Sequence, residues 1–265
     1  MGSALLATLP RIGEVTAVDR SQMDLAKPNS VRRTVREVKP QVIVNAAAYT
    51  AVDQAEAEEA VAFRINRDGP ATLAEEALKL GAILVHFSTD YVFDGDKKLP
   101  YVETDSPNPL NAYGRSKLAG EEAIRYSGCR HVILRTGWVY AKRGKNFLVT
   151  IRRLVEEGSD LRVVDDQWGA PTSADMIAKA VPHAVERVLA DESRAGLYHM
   201  TAGGSTTWCR FARSIAGKDV TAISSDAHPT AARRPLYSVL DNKKLNMRLD
   251  IRLAHWEEGL KEALG

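Results

Sequence analysis

Short apolar runs alternate with longer amphipathic stretches along the first half of the chain. Residues 15–18, 41–44, 83–87 and 131–135 are runs of this kind, each bounded by turn or charged residues. Such runs predict buried strands. Between them the periodicity changes to helical. Pro28 suits the first turn of a helix that stops at Val38, before Pro40. Alanine-rich residues 53–80 read as helix, interrupted near Gly69-Pro70, and residues 112–126 as another. Residues 3–9 read as the tail of a helix ended near Pro10. Strands alternating with helices predict an α/β fold with a parallel, doubly wound sheet. After Trp138 the pattern changes: helices at 146–157, 173–189 and 206–216, strands at 161–164 and 196–200. Loop-rich sequence then runs to Pro235, and segments 243–245 and 254–264 follow. The expected division is 1–141 for the sheet domain and 142–265 for a smaller lobe, with about residues 173–190 packing back on the sheet.

The 265 residues carry 36 basic and 34 acidic side chains, a net charge of +2. A balance this even suggests no nucleic-acid surface. No run approaches a membrane span, and the first residues lack the charged and apolar regions of a signal peptide. Cys129 and Cys209 sit in no redox or metal motif, which fits a reducing compartment. The expectation is a cytoplasmic protein without a metal site. His86, His131 and His199 fall within predicted strands and read as structural.

The chemistry concentrates in residues 88–117. The stretch opens Ser88-Thr89-Asp90-Tyr91-Val92-Phe93-Asp94-Gly95 and closes Tyr113-Gly114-Arg115-Ser116-Lys117. Ser88 and Thr89 stand at the carboxyl end of a strand, where open α/β sheets keep their ligand crevices. Tyr113 and Lys117, four apart, project from one helix face. A hydroxyl, a phenol and an ammonium in one crevice form a proton-donating set for a carbonyl. A free phenol has a pKa of about 10, and a neighbouring ammonium lowers it.

Ser-Thr-Asp followed by Tyr-x-x-x-Lys resembles the extended short-chain dehydrogenase/reductases, and the longer opening string resembles their dTDP-4-dehydrorhamnose reductase branch. Four further strings extend the likeness: 45–53, 135–140, 165–172, and Arg234-Pro235 with Ser238 and Leu240-Asp241. Gly137 stands where serine is common in that family, and Ala141 where glycine is common. The resemblance implies a Rossmann-like fold, NADPH or NADH as cofactor, and reduction of a dTDP-linked 4-keto sugar. It implies Tyr113 as proton donor, Lys117 as its modulator and a hold on the nicotinamide ribose, and Thr89 as the group orienting the carbonyl, with Ser88 and Asp90 in support. The partner is then a dTDP-sugar, with room for a homodimer.

On the cofactor side, Asp19 ends a predicted strand where an acidic residue can bond a ribose hydroxyl, and Arg20 beside it can take a 2′-phosphate. Asn45, Ala46, Ala47 and Ala48 leave room for close approach. Gly2 aligns with the last glycine of a phosphate-binding turn, and Asp24-Leu25 with an adenine contact. The expectation is that one strand and a glycine-rich turn, about 10–15 residues, lie upstream of Met1. Asn66 resembles an asparagine beside the nicotinamide. On the substrate side stand Thr89, Asp90, Tyr91, Val92 and Phe93. Trp138 offers a flat wall to a sugar ring. Gln167 offers an amide for base or phosphate, and Arg234 a bidentate hold on a diphosphate. Two other functions remain open on the residues: another nucleotide-sugar epimerase or dehydratase, and a non-catalytic NADP-binding protein like the methionine adenosyltransferase β subunit.

Overall fold

Four parallel strands carry the site: β1 (Val42–Asn45), β2 (Ile83–Thr89), β3 (His131–Thr136) and β4 (Gly196–His199), in the order β1-β2-β3-β4. A computed structural model describes residues 1–265. Each strand alternates between two helical layers. Ile43, Leu84 and Ile133 face one core with Val31, Val35, Leu73, Ala77 and Ile124. Those last five belong to α1 (Pro28–Val38), α2 (Gly69–Leu80) and α3 (Ala112–Tyr126). Ile83, Val85, Val132 and Leu134 face the opposite core with Ile177, Val181 and Val185 of α4 (Ala174–Ala190). The short helices Gly2–Leu6 and Lys243–Leu249 join that second layer through Leu5, Leu245 and Leu249. The doubly wound parallel sheet is therefore the observed fold. No helix is long and apolar enough to cross a membrane.

A third core belongs to residues 140–263. Tyr140, Leu148, Ile151, Phe211, Ile215, Trp256 and Leu260 are buried in it, largely on the helices Phe147–Glu156, Trp208–Ala216 and Trp256–Leu264. A two-stranded parallel ladder pairs Arg162–Val164 with Thr221–Ile223, inside the stretch expected to be loop. Strand pairing, which depends on a partner far off in sequence, made that segment regular.

Two expected elements differ. Residues 15–18 form no strand and make no backbone hydrogen bond, and β1 pairs only with β2. A strand exists through its ladder, and an apolar run without a hydrogen-bonded neighbour has none. Val15 still packs on the sheet's second core. The helical stretch 53–80 breaks at Glu58, between Val52–Ala57 and Glu59–Phe63, rather than only near Gly69-Pro70. A single π-helical turn, Arg64–Asp68, then leads into α2 with Pro70 in its first turn.

That π turn sets the position of α3. The Asn66 carbonyl lies where a Cβ on Gly120 would stand, so only glycine allows the backbones this close. At the other end Asn111 caps α3, its Oδ1 accepting from the Gly114 N–H at 2.8 Å. Glu56 accepts from the Ala112 N–H at 2.7 Å. Gly120→Ala is expected to be destabilising, by up to about 2 kcal/mol net, because an overpacking cost of about 1–3 kcal/mol against backbone outweighs the gain of about 1 kcal/mol in helix propensity. A denaturation midpoint equal to the parent's would contradict this close contact.

Candidate active site

The strand alternation that buries Ile43, Leu84 and Ile133 turns Asn45, His86, Ser88 and Arg135 toward the same face, under α3. Asn45 lies beside His86 in the ladder, and Ser88 beside Arg135. From above, α3 presents Tyr113, Lys117 and Glu121 at four-residue intervals.

Glu121 is the anchor of this layer. Arg135 donates to both its oxygens, Nε at 2.9 Å and Nη2 at 2.7 Å, and the Ser88 hydroxyl donates to Oε1 as well. Both charged side chains are essentially fully buried. Ser88 thus donates its hydroxyl hydrogen to Glu121. Its strand position, two residues after His86, aims it at the helix.

Lys117 donates to the Phe87 carbonyl at 2.6 Å and lies 3.1 Å from His86 Nε2. Burial lowers its pKa to about 8, with Glu121 raising it in part. His86 is held neutral by burial and by Lys117, and its Nδ1 lies 3.1 Å from Asn45 Nδ2. This histidine touches the lysine of the crevice.

Half-buried Tyr113 faces the end of β2. Burial pushes its phenol up to about 12; the Thr89 hydroxyl pulls it down and Asp90 pushes it up. Lys117 is not among the groups that move it. The Lys117 amine bonds Phe87 and His86 here. Thr89 Oγ1 accepts from the Tyr91 N–H at 3.1 Å and donates to Asp90 Oδ1 at 3.0 Å. Thr89, Tyr113 and Lys117 thus gather at the carboxyl end of β2.

Asp90 is buried, and its Oδ2 finds no hydrogen-bond partner. Burial raises its pKa to about 6, offset in part by the Ser238 and Thr89 hydroxyls. Gly137 leaves room for this carboxyl: a Cβ there would lie 2.6 Å from Asp90 Cγ. A carboxyl raised from about 4 to about 6 binds more protons folded than unfolded. Stability is then greatest below the unfolded pKa and falls as pH rises through the folded one. Asp90→Asn should therefore be more stable than the parent at pH 8, by about 2–3 kcal/mol for a shift of some two units. The difference should vanish near pH 4. Thermal unfolding at both pH values checks the crossover, and an equal offset at both contradicts it.

Around this centre the substrate-side expectations separate. Tyr91 packs edge-on to Tyr113 with ring centroids 6.2 Å apart. Val92 and Phe93 have no exposed surface; Phe93 stacks on Tyr101 and lies under the Arg135 guanidinium. Their side chains hold the loop from inside, so any contact they make with a ligand is through the backbone. Apolar residues after a polar strand end are pulled into the nearest core. Arg234 is paired bidentately with Asp53 at 2.6 and 3.0 Å and also donates to Thr230 and the Ala232 carbonyl. Asn111 Nδ2 donates to the Arg233 carbonyl, so this late loop is fastened to the start of α3. Trp138 stacks on Trp208, ring centroids 3.6 Å apart, and Gly169 lies flat against it. Gln167 donates to Ser225 Oγ at 2.9 Å.

On the cofactor side, Asn45 is buried, Ala46 and Ala48 are half-buried and Ala47 is exposed at the end of β1. Asn66 uses its whole amide on the Tyr49 backbone and Ser116. Asp19 is held low by the Ser21 hydroxyl and N–H. Arg20 is exposed, 3.8 Å from Asp24, and with Ser21, Lys27, Asn29 and Arg33 lines an open cavity of about 880 Å³. A cationic cavity of this kind suits the adenosine phosphate end of a dinucleotide. Leu25 is buried against Gly69. Gly2 opens the Gly2–Leu6 helix, and no protein atom lies near its Cβ position.

The family model described as RmlD substrate binding domain matches residues 1–265. The chain belongs to that family. It is 41% identical over 279 residues to the dTDP-4-dehydrorhamnose reductase of Salmonella typhimurium, covering all of this chain and 93% of that protein. With the Burkholderia thailandensis reductase the identity is 42%, over 97% of this chain and 92% of that one. Among solved structures, the reductase of Bacillus anthracis in complex with NADP superposes with a TM-score of 0.91. It is 36% identical, with 98% of this chain and 93% of that one covered.

Four residues around this centre were given no site role from the sequence. Glu121 continues the Tyr113–Lys117 spacing by one more helical step, so its place on that face was available. Arg135 and His86 were hidden by apolar strand neighbours, and Asp53 by lying 181 positions from Arg234.

Proposed function

We propose that this protein reduces dTDP-4-dehydro-L-rhamnose to dTDP-L-rhamnose, with NADPH or NADH as reductant. The observation that carries this reading is the gathering of Thr89, Tyr113 and Lys117 at the carboxyl end of β2, in a chain of the reductase family. Bound there, the nicotinamide supplies the hydride. Tyr113 gives its proton to the sugar oxygen as the carbonyl becomes an alcohol. Its phenol, near pKa 12, is in the donor state throughout the neutral range. Thr89 turns its hydroxyl hydrogen from Asp90 to the same oxygen and fixes its direction. Residues 1–141 hold the cofactor in this reading, and 142–265 the dTDP-sugar. Arg234 would hold the diphosphate by exchanging part of its pairing with Asp53.

The test is to mix the protein with the keto sugar and NADPH and follow nicotinamide absorbance, with mass analysis of the product. Gain of two hydrogens by the sugar is expected. A protein that binds NADPH yet leaves the sugar unreduced would overturn the reading.

Arg20 supplies a separate check. Arg20→Ala should weaken NADPH by roughly 10-fold or more, the worth of one charged hydrogen bond of about 1.5–3 kcal/mol, and leave NADH nearly unchanged. Equal losses would mean that Arg20 contacts the part common to both, or only supports its loop.

A further inference from the structure

The Arg234 guanidinium has five N–H hydrogens, and its partners use them unevenly. Nη1 is held by three oxygens: Asp53 Oδ1 at 3.0 Å, Thr230 Oγ1 at 2.5 Å and the Ala232 carbonyl at 3.0 Å. Nη2 meets Asp53 Oδ2 alone, at 2.6 Å, and Nε has no well-aligned partner. The second Nη2 hydrogen and the Nε hydrogen point the same way, a fork that matches two oxygens of one phosphate. The Tyr91 phenol lies within reach of the same guanidinium, and its ring packs edge-on to Tyr113. One aromatic ring thus separates Arg234 from the proton donor. C1 and C4 of a hexose also stand across one ring from each other, so the spacing suits a diphosphate on C1 and a carbonyl at C4.

The two oxygens of Asp53 have different tasks. Oδ1 accepts from the Ala232 N–H at 3.1 Å as well as from Nη1, and so fastens the late loop to the helix Val52–Ala57. Oδ2 bonds only Nη2. The Asp53 side chain is 47% exposed, so water can replace Nη2 at Oδ2. We propose that Asp53 is a positioning residue that stands in for the diphosphate: its carboxylate keeps the Arg234 fork aimed while the crevice is empty and yields Nη2 when a phosphate arrives. A phosphate oxygen on the fork places two anions on one nitrogen. The diphosphate carries two negative charges and gains a further bond at Nε, so it prevails over the single carboxylate. The competition limits affinity, and the reduced product, which keeps its diphosphate, is free to leave. This rests on Arg234 holding the diphosphate in the proposed function.

The test is titration calorimetry of the whole protein with dTDP, and with thymidine as the phosphate-free control. Asp53→Asn keeps Oδ1 for Ala232 and Nη1 but sets an amide N–H, itself a donor, against Nη2. It should bind dTDP tighter by about fivefold, the reach of one partly exposed ion pair, and thymidine as the parent does. A residue that merely braces the loop would weaken dTDP when altered. Asp53→Asn that binds dTDP no tighter, or tightens thymidine equally, overturns the proposal. On the parent labelled with ¹³C-aspartate, the Asp53 ¹³Cγ resonance, assigned by its loss in Asp53→Ser, should move on saturation with dTDP. A resonance that stays overturns the proposal even if Asp53→Asn does not fold. Arg234→Ala separates this failure from that of the reading beneath it. If dTDP is weakened by Arg234→Ala but not tightened by Asp53→Asn, only the stand-in role falls. If Arg234→Ala leaves dTDP unchanged, the diphosphate does not meet Arg234, and both fall.

Discussion

Tyr113→Phe is expected to lower kcat by at least ~10²-fold while leaving the fold and cofactor binding close to the parent's. The change removes one oxygen. The ring stays edge-on to Tyr91, so the packing at the mouth of the crevice is retained. What disappears is the proton donor. General acid catalysis by a positioned group contributes about 10²–10⁴-fold, and Thr89 cannot replace it because an alcohol is a far weaker acid than a phenol. Since the proton moves only as the alkoxide develops, the loss should fall on kcat and kcat/KM together, with little change in KM. Steady-state kinetics on the keto sugar with NADPH measures this. Turnover within a few-fold of the parent would remove Tyr113 from the reaction.

Glu121→Gln is expected to destabilise the protein by about 3–5 kcal/mol, the cost of leaving a buried cation without its partner. Arg135 would keep one neutral hydrogen-bond acceptor in place of a carboxylate. Its Nη1 already lacks any partner, so nothing nearby can take up the charge. Ser88 would lose a charged acceptor at the same time. Adding Arg135→Met should recover much of the loss, because the burden is the unpaired charge more than the missing attraction. Urea unfolding of the parent, the single variant and the double variant checks this. A double variant no more stable than the single would mean that the damage lies in local packing. Glu121 also raises the Lys117 pKa, so the single variant should bring Lys117 below about 8.

Much of the site was legible because local rules govern it. The spacing of Tyr113 and Lys117 on one helix, and the place of Thr89 at a strand end, follow from periodicities of 3.6 and 2. The same rules predicted β1 to β4 and the main helices to within a residue or two. They failed where an element depends on distant partners. Residues 15–18 have strand composition and no ladder. Residues 221–223 look like loop and gain a ladder from residues 162–164.

The sequence by itself determined the doubly wound class, the family and the grouping of Thr89, Tyr113 and Lys117, since each is encoded within a few consecutive residues or one helical turn. Tertiary structure alone decided what those groups touch. Ladder register placed Asn45 beside His86 and Ser88 beside Arg135, and the Gly120 contact with the Asn66 carbonyl brought α3 down onto them. From that follow the bonds of Lys117 to His86 and Phe87 and of Ser88 to Glu121; the fold separately pairs Arg234 with Asp53. Hydrogen-bond partners and desolvation are properties of neighbours in space, and here those neighbours lie tens to nearly two hundred residues apart along the chain.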